Sequence, residues 1–212
     1  MNSAETADSE QPGEIGGVVL CGGQSQRMGT PKFAVRFGAE SLLERVVGVL
    51  QQVVRPIVVV AAPGQDLGQL PAEVTVVRDP REGLGPLAGI ALGLESLANC
   101  RAAYVSACDV PLLNPAFVRA VITQLGEADA AVVGNADFLH PLAGVYRTAL
   151  SRQAWELVDQ QRLRPLYLLQ SCRCQRIPEE WLRQVDPDLA SLENMNTPQD
   201  YERLLRRAGF SR

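Results

Sequence analysis

The chain has 212 residues, a formal net charge of −4 and 46% hydrophobic residues, and this balance excludes the broad basic face of a nucleic-acid-binding protein. Five cysteines at uneven spacing and one histidine exclude a disulfide framework and a histidine-rich metal centre, and they predict reduced thiols in a cytoplasmic protein. No apolar run approaches the roughly 20 residues that span a bilayer, so we expect no membrane association.

The predicted elements follow a polar, acidic segment, residues 1–14, which we expect to be a disordered N-terminal tail. An apolar run at residues 15–20 predicts a buried first strand. Residues 41–53 have helical spacing and begin with a capping box of Ser41 and Glu44. Further strands are predicted at residues 56–61, 74–77, 102–107, 130–133 and 142–146, and further helices at 86–98, 114–125, 148–160, 164–170 and around 203–207.

Strands that alternate with helices at this spacing predict an α/β fold with three layers, α/β/α, around a mostly parallel, doubly wound sheet. We find no internal repeat and no linker, so residues 15–212 are expected to form a single domain. Ligands of such sheets bind outside the carboxyl ends of the strands. The segments after residues 20, 77 and 107 all fall on that edge.

The segment after the first predicted strand, residues 20–32, reads LCGGQSQRMGTPK. Gly22 and Gly23 remove side chains where a phosphate must approach backbone N–H groups, while Arg27 and Lys32 add two positive charges. Lys32 is the only lysine among 20 basic residues, and its compact ammonium suits a crowded phosphate site better than a guanidinium does. The pattern favours a triphosphate site over a plain turn, although it is neither a dinucleotide fingerprint nor a P-loop.

Asp109 comes directly after the predicted strand at residues 102–107 and the intervening Cys108, at the expected ligand edge. A carboxylate there can hold Mg²⁺, which takes one or two protein carboxylates together with substrate phosphates and waters. A turn cap is the alternative, because aspartate is common in turns that contain proline. We favour the metal role for Asp109.

The motif at residues 20–32 resembles the signature of nucleotidyltransferases that transfer a nucleoside monophosphate to a phosphorylated acceptor. Together with Asp79 and the segments at 85–89, 108–111, 140–141 and 194–198, it most resembles the molybdenum cofactor guanylyltransferases. The resemblance covers nearly the whole chain after residue 14. It implies a Rossmann-like, GT-A-like nucleotidyltransferase fold, Mg²⁺ as cofactor, and GTP and the molybdopterin cofactor as substrates. The implied reaction transfers GMP from GTP to the phosphate of molybdenum-molybdopterin and releases pyrophosphate.

The same resemblance implies roles for single residues. The nucleotide is assigned to the backbone N–H groups of Leu20, Cys21, Gly22 and Gly23, to Arg27 at the β- and γ-phosphates, to Lys32 at the α-phosphate, and to Asp79 and Asp109. Arg27, Lys32 and Asp109 are the predicted catalytic residues. The acceptor is assigned to His140, Asn194 and Asn196. Judged from the residues alone, a lone histidine such as His140 is more often a hydrogen-bonded structural residue. Asn194 and Asn196 can cap the last helix, and this role is compatible with contact to the acceptor.

Two departures from the family pattern bear on which base is accepted. Lys32 is preceded by Thr30-Pro31, a form also common in cytidylyl relatives, and Ala61-Ala62 stands where the family tends to carry a nucleotide-binding asparagine. The alternatives are therefore a cytidylyltransferase acting on the same pterin, a sugar-phosphate nucleotidyltransferase, and a GTP-binding adaptor for cofactor delivery. We expect a monomer that makes transient contacts with molybdoenzymes or cofactor-handling proteins.

Overall fold

The computed structural model describes residues 14–21, 31–78, 83–135 and 137–210, and a central sheet of seven strands runs through these ranges. Nine strands are present in them: β1 (Ile15–Leu20), β2 (Arg36–Phe37), β3 (Glu40–Ser41), β4 (Ile57–Ala61), β5 (Val74–Arg78), β6 (Ala102–Ala107), β7 (Ala130–Gly134), β8 (Leu139–Arg147) and β9 (Cys174–Ile177). The order in the sheet is β5-β4-β1-β6-β8-β7-β9, and β2 pairs with β3 as a separate hairpin. Within the seven-stranded sheet, β8 runs antiparallel to both of its neighbours, and the other pairs are parallel.

Helices cover both faces of the sheet. Those in the described ranges are α1 (Leu42–Leu50), α2 (Gly85–Ser96), α3 (Pro115–Thr123), α4 (Leu150–Asp159), α5 (Pro165–Gln170), α6 (Glu179–Leu182) and α7 (Pro198–Arg207). One hydrophobic cluster joins α1 and α3 to one face of the sheet, and a second joins α2, α4 and α5 to the other face. This arrangement confirms the predicted three-layer fold with a mostly parallel sheet.

The alternation of side chains along the strands explains why two cores form. On β1, Val19 belongs to the cluster that contains α1 and α3, whereas its neighbour Val18 belongs to the cluster on the opposite face. Successive side chains of a strand point to opposite faces, so an uninterrupted apolar run requires a helix on each side. The capping box predicted at α1 is confirmed: Ser41 N–H donates to Glu44 at 2.6 Å, and Glu44 N–H donates to the Ser41 hydroxyl at 3.2 Å.

Several elements differ from the sequence-based expectation. The strand predicted at residues 142–146 extends over Leu139–Arg147 and is antiparallel, with a register shift of its partner β7 between Val132 and Val133. The hairpin of β2 and β3, the strand β9 and the helix α6 were not predicted. These are short elements, and periodicity is a weak signal over two to four residues.

The described ranges contain no helix that is both long and apolar enough to cross a membrane. All five cysteines lie within these ranges as free thiols. Cys21, Cys100 and Cys108 are buried, whereas Cys172 and Cys174 are partly exposed.

Two helical glycines allow a test of how closely α2 packs on β1. A Cβ added at Gly93 in α2 would lie 2.5 Å from Cγ1 of the buried Val18, whereas a Cβ at Gly48 in α1 would meet nothing within 4 Å. We expect Gly93→Ala to lower the free energy of unfolding by about 1–3 kcal/mol, because the clash outweighs the gain in helix propensity. The matched Gly48→Ala should raise it by up to about 1 kcal/mol. Urea unfolding of both variants checks the pair, and equal effects would contradict the close packing.

Candidate functional site

The carboxyl ends of β1 and β6 meet at the edge where the sequence predicts a ligand. Leu20 pairs with Ala107 in parallel register, and the Cys108 N–H donates to the Leu20 carbonyl at 3.1 Å. Asp109 follows immediately and is only 8% exposed. A short 3₁₀ turn, Lys32–Ala34, leads the chain back to the same edge and is anchored by the buried Phe33.

Lys32 and Asp109 form the centre of a polar cluster at this edge. The Lys32 Nζ lies 2.8 Å from Asp109 Oδ2 and donates to Asn196 Oδ1 at 2.6 Å. The other carboxylate oxygen, Asp109 Oδ1, accepts a hydrogen bond from Asn194 Nδ2 at 2.9 Å. We refer to these four residues, Lys32, Asp109, Asn194 and Asn196, as the clamp. They come from three distant parts of the chain, and all four were predicted to be site residues.

Asn194 and Asn196 are held in the clamp by the residue between them, which is buried in a small core. Met195 is fully buried in a small cluster with Phe37 and Leu42, and its N–H donates to the Asp109 carbonyl at 2.8 Å. The two flanking side chains are thereby held next to Asp109.

Neither asparagine caps the last helix, which corrects that alternative. The N-cap of α7 is Thr197, which forms a capping box with Asp200. Asp200 also accepts the Asn196 N–H at 3.2 Å. The Arg203 guanidinium and then the Thr197 hydroxyl lower the pKa of Asp200 to about 2, so this carboxylate is ionised at neutral pH and fixes the loop behind the clamp.

One predicted nucleotide contact is corrected at the end of β1. The Cys21 N–H donates to the Val60 carbonyl at 2.8 Å and therefore completes the sheet instead of facing a ligand. The hydrogen bond with the Cys108 side chain, followed by burial, raises the pKa of the Cys21 thiol, so Cys21 is not a thiolate nucleophile at neutral pH. The role predicted for Leu20 stays a prediction. The remaining predicted nucleotide residues, Gly22, Gly23, Arg27 and Asp79, lie outside the described residues.

His140 lies on β8, on the opposite side of β6 from β1. Its Nε2 is 3.5 Å from Glu179 Oε1, and its ring packs edge-on against Phe138 with 4.7 Å between centroids. Burial lowers the pKa of His140, while Glu179 partly opposes this shift, so the imidazole is neutral at pH 7. His140 and Asn194 both line a cavity of about 180 Å³ beside the clamp.

The clamp can neutralise and orient a phosphorylated ligand. The ammonium of Lys32 is a point charge on a flexible stem and can exchange its present acceptors for phosphate oxygens. Asp109 offers a carboxylate with both oxygens at the ligand edge, and this single carboxylate fits Mg²⁺, which takes its other ligands from waters and substrate phosphates. The described residues contain no cluster of three or more metal-ligating side chains, so such an ion would depend on the substrate for further ligands.

Three residues beside the clamp were not predicted from the sequence. Tyr104 and Ser106 alternate on β6 and line the cavity, and Phe138 stands at its rim with 61% of its surface exposed. A signal was present for two of them, because Tyr104 and Ser106 fall on the same face of a strand otherwise built from alanine and valine. For Phe138 the signal was indirect: His140, two residues along the chain, was assigned to the acceptor through the family resemblance.

Comparisons with a family profile and with known proteins point to the same family. A profile of the MobA-like NTP transferase domain matches residues 17–174. A Mycobacterium avium (strain 104) protein named "Probable molybdenum cofactor guanylyltransferase" is 38% identical over 203 residues, covering 93% of this chain and 97% of the relative. A protein of the same name from Mycobacterium tuberculosis (strain ATCC 25177 / H37Ra) is 41% identical over 160 residues, covering 73% and 78%.

Solved structures show the same architecture. Molybdopterin-guanine dinucleotide biosynthesis protein A from Archaeoglobus fulgidus has a TM-score of 0.76 and 25% identity, covering 92% of this chain and 99% of that one. The 2-C-methyl-D-erythritol 4-phosphate cytidylyltransferase from Thermus thermophilus has a TM-score of 0.68 at 18% identity, covering 92% and 99%, and shows the fold alone. Because the profile matches more than half of the chain and the Mycobacterium avium relative aligns along nearly all of it, the chain belongs to the family of MobA-like NTP transferases.

Proposed function

We propose that this nucleotidyltransferase transfers GMP from GTP to the phosphate of molybdenum-bound molybdopterin, forming molybdopterin guanine dinucleotide and releasing pyrophosphate. The observation that carries the proposal is the clamp: a lone lysine and a nearly buried aspartate, 2.8 Å apart, at the carboxyl edge of the sheet. The names of the relatives, which include guanylyltransferases from mycobacteria, support guanine as the base. We propose that the enzyme acts as a cytoplasmic monomer that contacts molybdoenzymes or cofactor-handling proteins transiently.

The acceptor requires no dedicated general base. A phosphate monoester has its second pKa near 6, so the attacking oxygen is largely ionised at pH 7. Catalysis then consists of in-line positioning and neutralisation of the charge that develops on the α-phosphate. Lys32 would move its ammonium from Asp109 and Asn196 to the α-phosphate when GTP binds. Gly22, Gly23, Arg27 and Asp79 are proposed to hold the nucleotide, and His140, Asn194 and Asn196 to face the acceptor.

Asp109 is the residue proposed to hold the divalent cation on which enzymes of this family generally depend. We propose Mg²⁺, which would neutralise charge on the triphosphate when bound. Asn194 keeps the carboxylate oriented through its hydrogen bond to Oδ1, and the Lys32 ammonium pairs with Oδ2. The carboxylate is thus held ready in one orientation by two donors on opposite oxygens.

The test is to incubate the protein with Mg²⁺, molybdopterin cofactor and each of GTP, CTP and UTP, and to measure pyrophosphate. We expect release with GTP that requires the acceptor and stops when EDTA removes the metal. A preference for CTP would overturn guanine selectivity. Tight GTP binding without pyrophosphate release would instead show an adaptor and overturn the proposed transfer.

A further inference from the structure

The cavity beside the clamp holds a polar group that the proposed transfer leaves unused. Tyr104 is fully buried and lines the cavity, and its hydroxyl has no hydrogen-bond partner among the described residues. The other fully buried tyrosine in these ranges, Tyr146, donates to the Pro141 carbonyl at 2.7 Å. A buried hydroxyl without a partner is costly, so its presence in a cavity wall indicates a partner that arrives with a ligand.

The cavity has further features of a binding site. Its wall is mainly apolar, from residues such as Val110, Leu113 and Leu142. Ser106 also lines it, two residues after Tyr104 on β6, and its hydroxyl donates to the Ala107 carbonyl at 3.1 Å. Its wall near Ser191 is fixed, because the buried Asp186 accepts the Ser191 N–H at 2.8 Å. An apolar pocket with a few fixed polar groups is the usual form of a small-molecule site.

An exposed aromatic ring marks the rim. Phe138 is 61% exposed, the highest value among the large hydrophobic side chains of the described ranges, and its edge-on contact with His140 holds the ring at the cavity. Planar heterocycles stack well on such rings. The ligand expected at this rim is therefore flat and aromatic.

The position of the cavity identifies which substrate it faces. Asn194 lines the cavity and donates to Asp109, so the cavity and the clamp share a residue. Within the sheet, β6 pairs with β1 on one side and with β8 on the other. The glycine-rich segment follows β1, whereas the cavity is built from residues of β6 and β8. The cavity is therefore on the side of Asp109 away from β1, where the nucleotide is proposed to bind.

We propose that this cavity takes the pyrimidine-ring end of the pterin acceptor, with the Tyr104 hydroxyl as its selective hydrogen-bonding group and Phe138 as its stacking surface. A cavity of about 150 Å³ holds benzene, so one of about 180 Å³ holds a single six-membered ring. The remainder of the acceptor then extends past Asn194 towards the clamp. Burial raises the pKa of Tyr104, so the neutral hydroxyl can both donate and accept.

This inference rests on the proposed function, and guanine carries the same 2-amino-4-oxopyrimidine edge as a pterin. The experiment therefore uses two probes, 6-hydroxymethylpterin phosphate followed by its fluorescence, and GTP followed by calorimetry. Tyr104→Phe is expected to weaken binding of the pterin probe about tenfold, and to raise KM for the molybdopterin acceptor similarly, while the Kd of GTP stays unchanged. Phe138→Ala should likewise weaken binding of the pterin probe and leave the Kd of GTP unchanged.

Controls separate this role from a structural one. Tyr104→Phe should leave the melting temperature unchanged or higher, because it removes an unpartnered hydroxyl, whereas Tyr146→Phe should lower it. Leu166→Ala removes another exposed apolar side chain, on α5, and should leave both Kd values unchanged.

Three results would overturn the inference. Unchanged binding of the pterin probe in both Tyr104→Phe and Phe138→Ala would remove the cavity from acceptor binding. A loss confined to GTP would assign the cavity to the nucleotide base. A lower melting temperature of Tyr104→Phe with unchanged ligand binding would show that the hydroxyl holds only a structural water. If the wild type binds the pterin probe through Tyr104 but releases no pyrophosphate, the proposed transfer fails and the cavity assignment stands.

Discussion

Replacing Lys32 by alanine is expected to lower kcat/KM for GTP by about 10²–10³-fold, the usual effect of removing a preorganised charged donor from a transition state. The reason is the position of its ammonium, 2.8 Å from Asp109 Oδ2 and 2.6 Å from Asn196 Oδ1, where a phosphate oxygen can replace either acceptor. Pyrophosphate release under saturating acceptor measures the effect.

Lys32→Arg tests whether the shape of the charged group matters in addition to its charge. The variant keeps a cation, but a planar guanidinium cannot occupy the space of an ammonium held between two acceptors. We expect Lys32→Arg to recover less than about a tenth of the lost activity, because a misplaced group can cost about 10²-fold. Near-normal turnover of Lys32→Arg would show that any nearby positive charge is sufficient, and near-normal turnover of Lys32→Ala would remove Lys32 from catalysis.

Arg36→Ala is the matched control for loss of charge. Arg36 is exposed on β2, four residues after Lys32, and its guanidinium donates to the Ala39 carbonyl of the same hairpin. The substitution removes the same unit of charge from the same region without touching the clamp. Its turnover should stay within about twofold of the wild type, since exposed charges are screened over about 8–10 Å at ordinary ionic strength.

The sequence predicts the main strands well because the buried runs are bounded by clear breaks. β1 and β6 were predicted with the bounds that the structure has, Ile15–Leu20 and Ala102–Ala107. The rule that ligands bind at the carboxyl edge then brings Lys32 and Asp109 together before any coordinates are known. Strand β9 escaped prediction because its residues, CQRI, lack an apolar run, and its position depends on parallel pairing with the distant β7.

The contacts within the site depend on packing that sequence patterns do not express. The hydrogen bond between Lys32 and Asn196 joins residues 164 positions apart, and it depends on Met195 filling a small core beside α7. The cavity is likewise enclosed by segments from β6, β8 and the turn around Ser191. A single histidine or asparagine carries no local sign of such an enclosure, so its role could be predicted only through resemblance to a family.

Asp109→Asn is expected to lower turnover by about 10³-fold or more and to abolish the dependence of GTP binding on Mg²⁺. The amide has nearly the same shape but no charge, so it is a poor ligand for a hard divalent cation. Calorimetric titration of GTP with and without Mg²⁺ measures the second effect. Wild type should bind GTP more tightly with the metal, and the variant should bind it equally weakly in both conditions.

The substitution should also lower stability, and this effect needs a control of its own. Both oxygens of Asp109 accept hydrogen bonds, one from Lys32 and one from Asn194, whereas an amide offers a single accepting oxygen. One donor of the clamp therefore loses its partner, at a cost of about 1–3 kcal/mol in the free energy of unfolding.

Asp186→Asn supplies the matched comparison for that loss. Asp186 is a second buried carboxylate with both oxygens engaged, by the N–H groups of Ala190 and Ser191, and its replacement likewise leaves one donor unpaired. We expect a similar fall in stability with the metal dependence of GTP binding retained. If both variants lose metal dependence equally, the loss follows from destabilisation, and the assignment of the metal to Asp109 fails. If only Asp109→Asn loses it, the carboxylate at the end of β6 is the protein's ligand for the cation.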